Sequence, residues 1–262
     1  MLKRFLLCFF VILALPVLFL SCGLETYAYL YPIFQSNIYT TALYTATVNI
    51  PVDNDYPGTP FTHFIILYRI YISDVSEANP QPGGYATINP ALSAHYNSIN
   101  YYIDTETSFS ASLLQSQFIN RGYMYLCFEE GEMENILSKD NNILDNRSLV
   151  FNFSYNSRPP KMTIRDNNNN PIGTYTLVRS DELDQPQPDD YLYFGNTPEL
   201  RSDTYATSAY NADVERNNKA GKGPDDYAYA AMFIIAVGID QQDYTTIYST
   251  PNLIHAFPLP NR

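Results

Sequence analysis

Two runs of residues that are apolar on both faces, far apart in the sequence, constrain this chain more than any other feature. In FTHFIILYRIYISD the positions Phe64, Ile66, Tyr68, Ile70 and Ile72 form one face, while Ile65 and Leu67 make the opposite face apolar as well. Tyr229 to Asp240 repeats the pattern near the other end of the chain. A strand that faces water on one side alternates apolar with polar; one apolar on both sides belongs at the centre of a sheet with both faces covered. Early and late segments must therefore meet in the core.

The rest of the chain reads as strands and turns. It holds 24 Tyr, 15 Phe and 18 Pro with no Trp. Aromatic side chains fit pleated surfaces and proline punctuates turns, so this balance favours an all-β protein over a helical one. Thr40 to Ile50 alternates, with Ala42, Tyr44, Ala46, Val48 and Ile50 on one face, and predicts one half-buried strand. Shorter strands are expected at Tyr85 to Ile88, Ile99 to Asp104, Tyr123 to Glu130 and Leu149 to Tyr155. Lys161 to Arg165 and Ile172 to Arg179 read as a hairpin closed by Asn167 to Pro171. Phe109 to Asn120 predicts a short helix capped by Ser110, with Leu114 and Phe118 four apart, and a helical turn is expected within Gly131 to Arg147. Ser180 to Asp226 is a long polar connection with one short strand at Tyr191 to Phe194. Thr246 to Pro258 carries prolines and reads as an edge strand.

The stretches FIILYRIYISD and YAAMFIIAVGIDQQDYTTIYSTPNL resemble the C and F–G strands of fibronectin type III-like domains. The resemblance implies an Ig/fibronectin type III-like antiparallel β-sandwich with a long loop-rich insertion and at most short helices. It covers about a third of the chain, and this sequence departs from that family in having no Trp for the usual core position. Residues 40–262 are expected to form one sandwich domain, with the insertion around 131–226.

The first 21 residues have a different character. Lys3 and Arg4 precede an apolar run from Phe5 to Leu20, and Ser21 is followed by Cys22. That order of basic, apolar and small residues marks a secretory signal, and the run falls short of the roughly 20 apolar residues a membrane span needs. The box Phe19-Leu20-Ser21-Cys22 resembles the looser lipoboxes of spirochaete lipoproteins. The likeness implies removal of residues 1–21 and acylation of Cys22, with residues 22–39 as a lipidated lead-in and the protein held at an envelope membrane, on its outer-membrane or periplasmic face. Several acyl chains, each methylene contributing about 0.8 kcal/mol, hold a protein to a bilayer where one chain does so only marginally.

Loss of Lys3 and Arg4 with the signal takes the formal charge from −12 to −14. So acidic a body disfavours nucleic acid as a partner, because phosphate backbones need clustered Lys and Arg. Cys8 leaves with the signal and Cys22 is consumed by lipid, so Cys127 has no intrachain partner for a disulfide and reads as a buried structural thiol.

Candidate chemistry is sparse. His63, His95 and His255 are dispersed, without the spacing of a metal pair. Asp166-x-Asn168-x-Asn170 matches the start of a calcium loop, but Pro171 stands where glycine is required and Leu177 where the bidentate Glu belongs, so it reads as a hairpin turn. Asp53 and Asp55 fail in the same way, with Pro57 following. Gly221-Lys222-Gly223-Pro224 lacks the strand and hydroxyl residue of a phosphate loop. Glu129 with Glu130, and Asp181, Glu182, Asp184, Asp189 and Asp190, read as solvated charge rather than paired acids. No catalytic residue, metal or cofactor is expected. The overall likeness is to uncharacterised spirochaete-type lipoproteins, which implies a non-enzymatic binding or assembly module with a protein or carbohydrate partner. The alternative is a carbohydrate-binding or glycoside-hydrolysing protein using a Tyr-lined cleft and paired carboxylates.

Overall fold

The computed structural model describes residues 30–50, 61–73, 88–104, 109–139, 146–154, 159–179, 192–194, 214–215, 227–241 and 243–259. Its elements begin with β1 (Ile38–Ala42), β2 (Thr45–Asn49) and β3 (Phe61–Ser73), followed by helices α1 (Pro90–Asp104) and α2 (Ala111–Gln117). Next come β4 (Met124–Tyr125), β5 (Cys127–Phe128), the helical turn α3 (Met133–Ile136), β6 (Ser148–Asn152), β7 (Lys161–Arg165) and β8 (Pro171–Arg179). The chain ends with β9 (Leu192–Tyr193), β10 (Val214–Glu215), β11 (Tyr227–Ile239), β12 (Thr246–Tyr248) and β13 (Asn252–Leu259). The described residues are thus mostly strand, in largely antiparallel sheets, with few helices.

The two doubly apolar strands meet as their composition requires. β3 and β11 pair antiparallel from Tyr227 opposite Ser73 to Gly238 opposite Phe61. β10, which runs parallel, and β4 close the far side of β3, while β12 and β13 line the far side of β11. The other sheet runs β1-β2-β6-β7-β8-β5, with β9 also on β8. Phe153 stacks on Phe257 at 4.3 Å between ring centres, and Phe194 meets both Phe153 and Tyr68. These contacts join one face of the β3–β11 sheet to the other sheet. On the opposite face, Phe233 receives His95 from α1 and Phe118 from the end of α2. Both faces of β3 and β11 are thereby covered; Ile66 and Ile235 have no solvent exposure.

Several expected elements stand as read. Ser110 caps α2, its hydroxyl accepting from Leu113 N, and Leu114 and Phe118 are buried. The hairpin β7–β8 turns at Asp166 to Asn170, where Asp166 Oδ1 accepts from the backbone of Asn168 and Asn170, and Asn169 takes the left-handed conformation. The helical turn within Gly131 to Arg147 is α3, and Tyr191 to Phe194 contains β9.

Others are corrected. Ile99 to Asp104 is the second half of α1, a helix of 15 residues rather than a strand, and longer than the short helices expected. Asn89 accepts from Ala91 N at its start, Pro90 occupies the first turn, and Leu92, His95 and Ile99 bury one face at helical spacing. Tyr85 to Thr87 lie outside the described residues. Thr40 to Ile50 is two strands folded back at Leu43–Tyr44, so Ala42 does not share the buried face of Ala46, Val48 and Ile50. The turn lacks glycine and is held from outside: Phe153 N donates to Tyr44 O, and His255 Nε2 to Leu43 O. Tyr123 to Glu130 breaks at Leu126, with β4 pairing to β3 and β5 to β8, because the chain there crosses between sheets. Thr246 to Pro258 is likewise two strands. β13 has β11 as its ladder neighbour, yet all eight of its residues are buried. It packs against β2 and α1 as well, and Asn252 Nδ2 donates to Ile33 O of the lead-in.

Candidate functional site

A cleft of about 410 Å³ opens on the helical face of the β3–β11 sheet, lined by Arg69, Tyr71, His95, Asn120, Arg121 and Tyr123 among others. Three segments build it. β3 places Arg69 and Tyr71 two residues apart, hence on one face of the strand. α1 brings His95. The third segment follows α2: a tight helical turn at Ile119–Arg121 ends on Gly122 at φ 78°, with Tyr123 N bonded to Phe118 O and Gly122 N to Ile119 O. This is the Schellman arrangement, in which a glycine in the left-handed region satisfies the last carbonyls and reverses the chain. The reversal leaves Arg121 exposed at the rim and sends Tyr123 into the core.

Behind the cleft runs a buried polar chain. His95 Nδ1 lies 2.7 Å from Tyr123 Oη, which lies 2.7 Å from Tyr71 Oη. Phe118, Tyr123 and Phe233 surround the imidazole with ring centres 4.8–5.4 Å away. Burial, helped by the Arg121 and Arg69 charges and opposed by the Gln117 carbonyl, lowers the His95 pKa to about 3. The ring is neutral at physiological pH. Burial likewise pushes the Tyr123 phenol well above its ordinary range, with Tyr71 adding to the effect and the guanidiniums opposing it. The Arg69 guanidinium lies 5.9 Å from the centre of the Tyr71 ring, at the outer range of a cation–π contact.

The residues nominated from sequence are elsewhere or differently employed. Cys22, Asp53, Asp55, Asp181, Glu182, Asp184, Asp189, Asp190 and Gly221 to Pro224 lie outside the described residues. Cys127 is buried, its thiol 3.7 Å from Tyr125 O. Glu130 grips Thr176 through both carboxylate oxygens, accepting from its backbone N at 2.7 Å and its hydroxyl at 2.8 Å, and so serves the β5–β8 junction. His63 lies beside Thr62, whose hydroxyl donates to Val237 O. His255 ties β13 to the Leu43 turn; burial, opposed by that hydrogen bond, lowers its pKa to about 4. No group of three His, Cys, Asp or Glu suited to a metal occurs among the described residues.

Sequence reasoning missed Arg69, Tyr71, Arg121 and Tyr123. One signal was present: Arg69 is the one charge in the apolar run Phe64 to Ser73, and a charge in a core strand needs a partner or an opening. Comparisons with protein-family models, with curated proteins and with solved structures each find no match.

Proposed function

We propose that this chain is a lipid-anchored protein of the bacterial cell envelope, in which an Ig/fibronectin type III-like sandwich presents the Arg69–Arg121 cleft as a non-catalytic binding site. The observation that carries this reading is the chemistry of the cleft. Two guanidiniums line it, while the phenol of Tyr123 and the imidazole of His95 are held neutral by burial and tied to each other. Such groups hold a ligand by charge and hydrogen bonds, and burial moves the titratable ones away from the pH range in which acid–base catalysis operates. Acylation at Cys22 supplies the anchor. Eight peptide units separate it from Leu30, the first described residue and a buried one, so that residue lies within about 30 Å of the acylated cysteine. The test is fractionation of Cys22→Ser, which should move from the membrane to the soluble fraction; retention after a salt wash would refute the anchor.

A carbohydrate partner is the second reading. It draws support from a separate cleft of about 640 Å³ at one end of the β2–β6–β7 sheet, lined by Asn37, Asn49, Asn146, Asn167 and Asn169 with Arg147. Amides pair well with vicinal hydroxyls. Tyr71 and Tyr123 argue less for sugar, since both are packed into the core.

A further inference from the structure

β1, β2, β6 and β7 have their ends together at the amide-lined cleft of about 640 Å³, a volume in the range of small-molecule sites. Register brings its side chains to one place. Ile38 lies opposite Val48, which sets Asn37, just before β1, level with Asn49 at the end of β2. Asn49 in turn faces Ser148 at the start of β6, and Ser148 faces Arg165 at the end of β7, from which the turn carrying Asn167 leaves. Ile50 N donates to Arg147 O at 2.8 Å and closes this end of the sheet. The side-chain amides of Asn37, Asn49, Asn146 and Asn167 line the cleft and make no hydrogen bond with any described residue. Each brings two N–H donors and an acceptor oxygen, and all of that capacity is left to water or a ligand.

Donors and acceptors mixed at this density suit a ligand of the same kind. A saccharide carries hydroxyls that both donate and accept around each ring, whereas a peptide needs apolar pockets or an open ladder and a nucleic acid needs clustered cations. The charged side chains of the described lining, Arg147 and Asp166, are one of each sign, so the recess sets no net charge against its ligand. We propose that this cleft binds a short, uncharged saccharide and releases it uncleaved. The inference rests on the carbohydrate reading given above and assigns it a ligand class. Glycoside hydrolysis takes two carboxyl groups, one of them protonated. Asp166 is the one carboxylate in the described lining, and it is committed to the β7–β8 turn: Oδ1 accepts from Asn168 N and Asn170 N, and Oδ2 from Asn170 Nδ2. Those bonds, the one from Asn170 N foremost, hold its carboxyl below the usual range, with the Arg147 charge adding to the effect. The described lining therefore holds no acid to protonate a leaving oxygen. It also has no aromatic ring for a sugar face to stack on, so hydrogen bonds set the affinity and weak, fast-exchanging binding is expected.

The test is saturation-transfer NMR on the full chain in a sugar-free detergent, with maltotriose and triacetylchitotriose as neutral probes and trigalacturonic acid as the acidic one. Saturable transfer to at least one neutral probe is expected, with none to the acidic probe and no new reducing ends on prolonged incubation. Binding should weaken about fivefold or more in Asn49→Ala and in Asn167→Ala, the loss of one or more hydrogen bonds. Neither amide holds another described part of the protein, so both variants should keep the wild-type circular dichroism and melting temperature, and a loss of binding then reads on the cleft. Undiminished neutral-probe binding in both variants would overturn the inference while leaving a carbohydrate partner standing elsewhere on the protein. Preference for the acidic probe would overturn the uncharged class, and new reducing ends would overturn release without cleavage. No saturation by any of the three would remove the carbohydrate reading and the inference with it.

Discussion

Acid should unfold this protein through its buried histidines before its carboxylates titrate. His95 and His255 have folded pKa values of about 3 and about 4, against an ordinary 6.5. Between those limits the unfolded chain binds protons that the folded chain refuses, so stability is full above pH 6.5 and falls as pH drops toward the folded values. From pH 7 to pH 5 each ring costs about 2 kcal/mol, or about 4 kcal/mol together, a large share of the 5–15 kcal/mol that holds a typical domain. The His63 pKa is lowered by burial too, which adds in the same direction. Asp166 and Asp243 have pKa values lowered by turn hydrogen bonds, so they stay charged throughout this window. The assay is guanidinium unfolding at pH 7 and pH 5, followed by circular dichroism since the chain has no Trp. His95→Phe keeps the ring contacts with Phe118 and Phe233 but cannot titrate. It should lose some stability at pH 7 with the Tyr123 hydrogen bond, and about half of the pH dependence should vanish. A slope equal to that of the wild type would refute the reasoning, because it would mean that His95 is protonated in the folded protein as readily as in the unfolded one.

Three further outcomes are expected. Ile66→Ala and Ile235→Ala should each cost about 2–5 kcal/mol in the same unfolding assay, since both side chains are wholly enclosed by the central sheet's two coverings. Gly122→Ala forces a side chain into the left-handed region at φ 78°, which costs about 1–2 kcal/mol, and should weaken any ligand of the cleft because Arg121 and Tyr123 depend on that reversal. Amide exchange should be slowest across β3 and β11, whose ladders are central and buried on both faces; fast exchange there would contradict their pairing.

The central pairing was legible because covering both faces of a strand leaves a plain mark: β3 and β11 are the runs with apolar residues at consecutive positions. The first hairpin was not, because Leu43 and Tyr44 carry no turn chemistry and are fixed by partners from β13 and the end of β6. Helix α1 was legible in principle. The Asn89-Pro90 start and the spacing of Leu92, His95 and Ile99 signal a helix, but the β-propensity of Ile99, Tyr101, Tyr102 and Ile103 pointed the other way, and packing on Phe233 decides it. The cleft was illegible because Arg69, His95 and Arg121 come from three separated segments, and nothing local to any of them predicts the others.

The order in which this chain can fold follows from where its ladders close. β3 finds its main partner only in β11, and the lead-in and first turn are sealed by Asn252 and His255, more than 200 positions downstream. A polypeptide made from its N-terminus onward therefore has an open core until nearly its last residues emerge. Contacts of such separation slow folding and prolong the exposure of apolar strand edges to other chains. The residues that lock the fold are thus among the last to arrive, and until then the chain stays open to whatever meets it first.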